Sequence, residues 1–345
     1  MGLTSPGLSI YPRFLPSEPL VDQEAGNDFF SIFKGEYGYN LIPFASARAA
    51  MVFAARALGL TRNTEILVPP WLGHCVLSAI SRVITPSLHF SPLTRAILVY
   101  HQFGYPQNIE AIEELAQKYN LRILNDCANT LFTKHSAGSI LEWGDATLVS
   151  LAKLYPSGLG GGLYSQQPEV MRQLREKYGT ASTLTQEFAE TALATLVRSD
   201  IPGRSFSDSM NIEAVFGYLP DLVAIPRLSL ASLPNSSNEI MTDIDHRARI
   251  RDIVHDFFPE SVPECHKETV IPFAIPIRLV ENGAEARLQE FCGNHGIFLP
   301  IMHFDYAMNM LAPNYRKSIV IGCHAGWSQP LVESVCIALK EGKIC

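Results

Sequence analysis

Residues 146–162 read ATLVSLAKLYPSGLGGG, an apolar strand-like run followed by a lysine, Lys153, and a run of glycines. Earlier in the chain, Asp126 follows another apolar strand-like run, Leu121–Leu124. The carboxyl ends of parallel strands lie at one edge of a sheet, and ligands bind beyond that edge in open α/β proteins. We therefore expect Lys153 and Asp126 to face the same ligand.

A lysine and an aspartate at two strand ends suit pyridoxal phosphate (PLP). The amine of Lys153 can hold the PLP aldehyde as a Schiff base, and Asp126 can keep the pyridine nitrogen protonated, so that the ring withdraws electrons. Such a lysine needs a site that lowers its pKa. Each residue alone is weak evidence, because a lysine before a turn is usually solvated and Asn-Asp after a strand is usually a turn. The order of the motifs along one chain carries the prediction.

The turn Ala45–Arg48 predicts a place for the PLP phosphate. Ser46 is a suitable N-cap for an Ala-rich helix over Ala47–Leu58, and Gly59 suits the helix end. The N–H groups of the first helical turn and the helix dipole attract anions. Ser150, three residues before Lys153, adds a hydroxyl donor. Taken alone, a turn of this kind much more often caps a helix than binds a ligand.

Helix and strand patterns alternate from about Leu41 to Ser165. The predicted strands are Glu65–Val68, Ala96–Tyr100, Leu121–Leu124, Ala146–Ser150 and Leu163–Ser165. The predicted helices are Ala47–Leu58, Leu72–Val83 and Asn108–Tyr119. Such alternation predicts a three-layer α/β fold, in which helices cover both faces of a mostly parallel sheet.

The character of the chain changes after Gln166. Predicted helices lie at Glu169–Tyr178, Leu184–Val197, Ile240–Phe258, Gly283–Asn294 and Pro330–Glu341. Predicted strands lie near Pro272–Val280 and Ile319–Ile321, and Ser199–Leu222 is irregular. We expect an N-terminal segment over residues 1–40, a large α/β domain over 41–238 and a small C-terminal α+β domain over 239–345.

Composition excludes several classes of protein. The chain has 345 residues, 18% of them charged, and its net charge of −7 argues against a surface for nucleic acid. Seven scattered cysteines without a CxxC pair indicate reduced thiols in a cytoplasm, rather than a disulfide framework or a zinc site. We expect no secretory signal and no membrane partner, because no apolar run approaches the length of a membrane span.

Five short motifs, in this order, resemble the DegT/DnrJ/EryC1/StrS aminotransferase family. They are FASARAA at 44–50, EILVP at 65–69, HQFGYP at 101–106, ILNDCAN at 123–129, and SLAK at 150–153 with its following glycines. This family is a branch of the fold-type-I PLP enzymes and aminates keto-sugars attached to nucleotides. The resemblance is strong over roughly Leu41–Ser165 and weaker after that.

The resemblance implies a role for each matching position. Lys153 matches the lysine that forms the internal aldimine and also moves the proton between substrate carbon and cofactor. Asp126 matches the partner of the pyridine nitrogen. Asn129 stands where the family has Gln or His near the phenolic oxygen of PLP.

The phosphate and the ring of PLP have their own matching positions. Ala47 and Arg48, behind the cap Ser46, match backbone donors to the phosphate, and Ser150 matches a side-chain donor. An aromatic or imidazole after Val-Pro usually stacks on the ring. Trp71 and His74 both remain candidates for that position, and each also suits plain packing.

The chain departs from the family at two places. Asn125 precedes Asp126 where the family commonly has Glu, and no Asn-Tyr-Arg segment follows the lysine at the usual distance to reach the partner subunit's phosphate. Asn314–Arg316 has those letters but comes late. Ser207–Met210, leading to Phe216–Leu219, is better placed but lacks the Asn and the Arg. His101 is a further candidate for lining the site, or for satisfying a local turn.

The resemblance implies a homodimer that transfers an amino group from L-glutamate to a nucleotide-linked keto-sugar. Two alternatives stay open. One is a fold-type-I enzyme for amino acids, in which an arginine such as Arg227, Arg278 or Arg316 would bind the α-carboxylate. The other is a PLP-binding regulatory protein without turnover. A sugar dehydratase of the same family is disfavoured, because those proteins replace the lysine with histidine.

Overall fold

A computed structural model gives the fold of the chain. It describes residues 10–12, 28–135, 138–179, 186–199, 215, 217–264, 269–279, 284–295, 298–342 and 344. Among these residues, no helix is long and apolar enough to cross a lipid bilayer.

Twelve described strands form a large sheet, a small sheet and a short hairpin. In chain order they are β1 (Ile42–Phe44), β2 (Glu65–Leu67), β3 (Thr85–Ser87), β4 (Thr94–Tyr100), β5 (Arg122–Cys127), β6 (Lys134–His135), β7 (Gly138–Ser139), β8 (Ala146–Ser150), β9 (Gly161–Tyr164), β10 (Ala274–Arg278), β11 (Ile301–Asp305) and β12 (Tyr315–Gly322). The large sheet has the order β1-β9-β8-β5-β4-β2-β3. Strand β9 is antiparallel to both of its neighbours, and the other neighbouring pairs are parallel.

The described α-helices lie between these strands and around the small sheet. They are α1 (Asp28–Tyr37), α2 (Ala47–Ala57), α3 (His74–Ile80), α4 (Ile109–Tyr119), α5 (Leu151–Leu154), α6 (Pro168–Gly179), α7 (Gln186–Ser199), α8 (Arg227–Ala231), α9 (Ser237–Phe257), α10 (Ala284–His295) and α11 (Gln329–Glu341).

The large sheet is covered on both faces, which confirms the predicted three-layer fold. Along β4, Ala96 and Leu98 belong to one buried cluster, whereas Ile97 and Val99 belong to another. Because successive side chains of a strand point to opposite faces, the two clusters lie on opposite faces of the sheet. Helices α2 and α3 pack in the first cluster, and α1 and α4 pack in the second.

Local sequence explains where the two best predicted helices begin and end. The Ser46 hydroxyl accepts a hydrogen bond from the Ala49 backbone N–H at the start of α2. Asn108 does the same for Ala111 at the start of α4, and Asn120 ends that helix in a left-handed conformation. Side-chain caps of this kind satisfy backbone N–H groups that have no partner inside a helix. Both helices lie within one residue of their predicted bounds.

Other elements differ from the predicted pattern. The helix predicted over Leu72–Val83 is shorter, because Leu72 and Gly73 are not helical and the helix α3 runs only from His74 to Ile80. The strand predicted at Ile319–Ile321 extends over the whole of β12, and β11 beside it was not predicted. Most of the segment Ser199–Leu222 lies outside the described residues.

The C-terminal part of the chain forms the antiparallel sheet β10-β12-β11, packed on α9 and α11. It shares one buried cluster with the large sheet: Phe304 and Val320 pack with Val99 and Val149. Helix α1 adds Phe29 and Phe33, both fully buried, to the same cluster. Residues from both ends of the chain therefore build the layer that supports β4 and β8.

Candidate active site

A cavity of about 450 Å³ opens beyond the carboxyl ends of the central parallel strands. Tyr100 ends β4, Asp126 lies near the end of β5, and Ser150 ends β8. All three line the cavity together with Lys153 and with the first residues of α2. The structure thus brings together most of the side chains that the sequence singled out, at the edge of the sheet where α/β proteins bind ligands.

Lys153 lies in α5, a single helical turn that directly follows β8. The backbone N–H groups of Leu151 and Ala152 donate hydrogen bonds to the Gly160 carbonyl, at 3.0 and 3.3 Å. The Lys153 ammonium lies 5.9 Å from the centre of the Tyr100 ring. The lysine is therefore held between a strand end and the glycine run, with its amine in the cavity.

Asp126 is buried, with 5% of its surface exposed. Its carboxylate accepts a hydrogen bond from the Ala128 backbone N–H at 2.9 Å. Burial raises the pKa of the Asp126 carboxyl above its ordinary value, although the Lys153 ammonium and the Ala128 N–H act in the opposite direction. A cationic partner in the cavity would stabilise the charged form of this buried carboxylate.

The N-terminus of α2 lines the cavity with Ser46, Ala47 and Arg48, and we call these three residues the cradle. Gly161 in β9 lies so close to this helix that a Cβ atom there would be 2.6 Å from the backbone nitrogen of Ala47. The same atom would be 2.6 Å from the carbonyl carbon of Ser46. Only glycine allows this close approach of β9 to the start of α2. Ser46, Ala47 and Arg48 line the cavity beside the glycine run, where the N-terminus of a helix favours an anion.

Arg48, at the start of α2, lines the cavity. Burial lowers the pKa of the Arg48 guanidinium below its ordinary value, and the nearby Cys75 acts in the opposite direction. A partly desolvated cation is stabilised by an anion beside it. Arg48 is therefore suited to an anionic ligand by charge, which the sequence analysis assigned only to its backbone.

Trp71 lines the cavity, whereas His74 is exposed and is not among the described residues that line it. The Trp71 ring stacks on His303 of β11, with ring centres 4.0 Å apart and planes 11° from parallel. Of the two candidates for packing on the PLP ring, Trp71 is the one at the cavity.

Asn129 is buried beside the cavity without being among the described residues that line it. Its side-chain oxygen accepts a hydrogen bond from the Tyr100 hydroxyl. Burial, followed by the charge of Asp126, raises the pKa of the Tyr100 hydroxyl well above its ordinary value. Asn129 thus fixes a protonated tyrosine in the cavity wall. Sequence reasoning recognised Tyr100 only as the end of a strand.

His101 belongs to a hydrogen-bond network with Asn125, whose side chain lies on the opposite face of the sheet from that of Asp126. The Gln107 backbone N–H donates to His101 Nδ1 at 3.1 Å, so Nε2 carries the proton that is donated to Asn125 Oδ1 at 2.8 Å. The Asn125 amide in turn donates to the carbonyls of Ile140 and Trp143. Asn125, which stands in place of the family's Glu, therefore holds loops together beneath the sheet and points away from Asp126.

The late Asn314–Arg316 segment contacts a residue of the cavity wall through Tyr315, although none of its three residues is among the described residues that line the cavity. Tyr315 begins β12, and its ring lies 6.2 Å from the Trp71 ring in an edge-to-face arrangement. Burial is the largest cause that raises the pKa of Tyr315 to about 12, while a hydrogen bond from the Trp71 backbone acts against it. The segment Ser207–Met210 lies outside the described residues.

The arginines considered for an α-carboxylate, Arg227, Arg278 and Arg316, are not among the described residues that line the cavity. Several lining residues were not predicted as site residues: Tyr100, Gln102, Leu159 and Met302. Met302 comes from β11 of the small sheet, which forms one wall of the cavity. Nothing in the sequence near residue 302 signals this position.

Comparisons with known proteins find sequence similarity to aminotransferases. A family described as "Putative PLP-dependent aminotransferase" matches residues 30–188, just under half of the chain. A UDP-N-acetyl-3-dehydro-alpha-D-glucosamine 3-aminotransferase of Acidithiobacillus ferrooxidans is 24% identical over 239 residues, 61% of this chain and 64% of that protein. A dTDP-3-amino-3,4,6-trideoxy-alpha-D-glucose transaminase of Streptomyces venezuelae is 26% identical over 168 residues, 41% of this chain and 44% of that protein.

A solved structure agrees over nearly the whole fold. The DegT DnrJ EryC1 StrS aminotransferase from Brucella abortus superposes with a TM-score of 0.60 at 14% identity, covering 93% of this chain and 91% of that one. This chain resembles the DegT/DnrJ/EryC1/StrS aminotransferases, in sequence over part of its length and in fold over most of it. In sequence, it spans less than two thirds of the length of these curated relatives.

The match to a family of PLP-dependent aminotransferases implies PLP as the cofactor, and the residues of the cavity fit it. The cradle beside Gly161 offers backbone N–H donors to a phosphate. Asp126 offers a buried carboxylate for the pyridine nitrogen, and Lys153 offers an amine for the aldehyde. These groups come from α2, β5 and α5, in the chain order that the sequence predicted.

Proposed function

We propose that this protein is a PLP-dependent aminotransferase that transfers an amino group from L-glutamate to a keto-sugar attached to a nucleotide. The observation that carries amino transfer is the single cavity shared by Lys153, Asp126 and the N-terminal turn of α2. The curated relatives support the acceptor, because their names place amino transfer on UDP-linked and dTDP-linked sugars.

Bound PLP supplies an aldehyde that reacts with amines and a ring that withdraws electrons from a bound substrate. Lys153 would be the amine that bonds to the aldehyde. Once the amine of the donor had displaced it, its free Nζ would take a proton from the substrate carbon and return it, as a general base and acid. Asp126 holds the proton on the pyridine nitrogen through a charge-assisted hydrogen bond. The N-terminus of α2 and Arg48 bind the phosphate and fix its position.

Donor and acceptor use the cavity in turn, in a ping-pong sequence. The keto acid formed from L-glutamate would leave before the sugar enters. Trp71, which follows β2 of the large sheet, and Met302, in β11 of the small sheet, both line the cavity that either substrate would enter. Two substrates of different size can therefore present their reacting carbon at the same amine.

Two further points belong to the proposal. We infer a homodimer by analogy with other fold-type-I enzymes, which build their sites at a subunit interface. We also infer a cytoplasmic location, because Cys75, Cys127, Cys292, Cys323 and Cys336 are free thiols, as expected in a reducing compartment.

The visible absorption spectrum of the protein with PLP tests the function. We expect a band from the covalent bond between PLP and Lys153, which L-glutamate converts into the spectrum of the aminated cofactor. The Lys153→Ala variant is the control and shows neither change. Nucleotide-linked keto-sugars then restore the first spectrum.

Other outcomes of the same experiment distinguish the alternatives. A band that L-glutamate and other amino donors leave unchanged would indicate a PLP-binding protein without turnover. Recovery of the first spectrum by 2-keto acids alone, with no response to keto-sugars, would indicate an aminotransferase for amino acids. Full turnover by Lys153→Ala would contradict the assignment of the lysine.

A further inference from the structure

The helical turn that carries Lys153 is too short to be stable without outside contacts. Helix α5 has four residues, Leu151–Leu154, and isolated helices need about 12–15 residues even to be marginal in water. Its last carbonyl groups have no partners inside the turn. Gly160 holds the N-terminal end by accepting from two backbone N–H groups. The orientation of Lys153 then depends on what holds the other end.

Arg247 of α9 holds that other end. Its Nη2 donates a hydrogen bond to the Leu154 carbonyl at 2.7 Å, one residue after Lys153. The two hydrogen-bonded residues are 93 positions apart in the chain. The Arg247 side chain is 2% exposed, so water does not compete for this contact. A charged donor to a carbonyl at a helix C-terminus is favoured both by the hydrogen bond and by the helix dipole.

Arg247 is itself fixed in place. Its Nε donates to the Asp243 carboxylate at 2.8 Å, one turn earlier on the same helix. Burying a guanidinium is unfavourable by several kcal/mol unless charge and hydrogen bonds compensate. The Asp243 carboxylate and the Leu154 carbonyl supply part of that compensation and orient the guanidinium, whose Nη1 is buried without a hydrogen-bond partner among the described residues. Helix α9 thus presents a rigid donor to α5.

We propose that Arg247 is a positioning residue, which sets the orientation of Lys153 by holding the C-terminal end of its one-turn helix. This inference rests on the proposed function in one respect, namely that Lys153 forms a covalent bond with PLP. Arg247 is not among the described residues that line the cavity, so it acts on the lysine through the backbone of α5.

Arg251, one turn further along α9, offers a matched control. Its side chain is 6% exposed, and its Nη1 donates to a backbone carbonyl, that of Val270, at 2.6 Å. It also pairs with a carboxylate, that of Asp252. Neither Val270 nor Asp252 belongs to α5. Removing either arginine breaks a buried bond to a carbonyl, but only Arg247 holds the lysine's helix.

The experiment compares two ligands that share the phosphate and the ring. Lys153 condenses through its amine with the aldehyde of PLP and releases one water. It does not condense with 4-deoxypyridoxine 5′-phosphate, which has a methyl group in place of the aldehyde. We define the ratio as the dissociation constant of the analogue divided by that of PLP, both measured by titration of apoprotein. This ratio reports how well Lys153 is placed and not how well the cradle binds phosphate.

We expect Arg247→Met to lower the PLP affinity by roughly tenfold to a hundredfold, because small misplacement of a reacting group has effects of this size. Affinity for the aldehyde-free analogue stays within about twofold, since phosphate and ring contacts are untouched. Arg251→Met leaves the ratio unchanged. Both variants melt at lower temperature than the wild type, which separates general destabilisation from positioning.

An unchanged ratio in folded Arg247→Met, or an equal loss in Arg251→Met, would overturn the proposal. If Arg247→Met does not fold, Arg247→Lys replaces it: it keeps the charge but loses the fork of donors, and we expect a smaller fall in the ratio. No fall in that variant would likewise contradict the proposal. Wild-type protein that bonds to PLP without transferring amino groups would refute the proposed function and leave the role of Arg247 standing.

Discussion

Trp71 stacks on His303 across the boundary between the two sheets, with ring centres 4.0 Å apart and planes 11° from parallel. Trp71 follows β2 of the large sheet, and His303 lies in β11 of the small sheet. The Gln102 amide, also at the cavity, donates to the His303 carbonyl at 2.6 Å. The small sheet therefore supports an aromatic residue of the cavity wall, and its position affects the shape of the site.

Replacing His303 tests this support. We expect His303→Ala to lower the free energy of unfolding by about 1 kcal/mol, the contribution of an aromatic pair. Trp71 then contacts more water, and the tryptophan emission of the protein shifts to longer wavelength. In a Trp71→Phe background the same change leaves the emission unchanged, because Trp143 and Trp327 are buried elsewhere. A shift that persists there would contradict the prediction.

Asp126→Asn tests the pairing with the pyridine nitrogen. An amide has almost the same shape as the carboxylate but does not stabilise a protonated nitrogen. We expect the variant to retain PLP while the half-reaction with L-glutamate slows by roughly 10²–10³, the usual effect of removing one electrostatic contact to a reaction centre. Stopped-flow absorbance measures the rate. A rate within a factor of two of the wild type would exclude the assigned role.

Gly161→Ala tests the cradle. The added methyl meets backbone atoms of Ser46 and Ala47 at 2.6 Å, so β9 or the start of α2 has to move. We expect a loss of about 1–3 kcal/mol of stability together with weaker binding of PLP and of inorganic phosphate. Thermal denaturation and calorimetric titration measure the two effects.

Gly35→Ala is the matched control for the cradle. Gly35 lies in α1, and a Cβ atom there meets nothing within 4 Å. Alanine also favours helix over glycine, so this variant keeps or gains stability and binds phosphate as the wild type does. If both variants bound phosphate equally well, the close approach at Gly161 would have no bearing on the anion site.

His101 makes the stability of the protein depend on pH. Burial is the main cause that lowers the pKa of His101 to about 4 from 6.5, although its bond to Asn125 acts against this. A group whose pKa is lower in the folded state stabilises the fold above its unfolded pKa, and this contribution is lost as pH falls toward the folded value. The window is therefore about pH 6.5 to 4.

We expect the wild type to lose roughly 2 kcal/mol between pH 7 and pH 5 through His101. Urea denaturation at the two pH values measures the loss. His101→Gln removes the titrating group, so its stability changes less over the same interval. An equal change in both proteins would assign the pH dependence to other groups.

Sequence alone predicted the parts of the site that follow from strand order. Asp126 and Lys153 meet because parallel strands end at one edge, and Ser46 begins a helix because its side chain caps it. These are local or topological rules. They need no knowledge of which residues pack against each other.

Other parts depend on distant contacts that no local pattern contains. Asn129 has the expected position in the chain, but its amide reaches Tyr100, because the turn after β5 directs it beside the cavity. Met302 lines the cavity and His303 stacks on Trp71. Both lie in a strand whose sequence shows no clear alternation of apolar and polar residues. Arg247 looks like one more charged residue of a long helix, and only the fold reveals that its guanidinium is buried against Leu154.

The hydrogen bond from Arg247 of α9 to the Leu154 carbonyl of α5 has a consequence for biosynthesis. A ribosome makes Lys153 well before α9, and before Phe304 and Val320, which complete the buried layer under β4 and β8. Domains generally fold as their residues emerge, but this lysine has to wait for the last third of the chain. We therefore expect nascent chains that end before residue 237 to capture PLP poorly, so that cofactor loading marks the completion of synthesis.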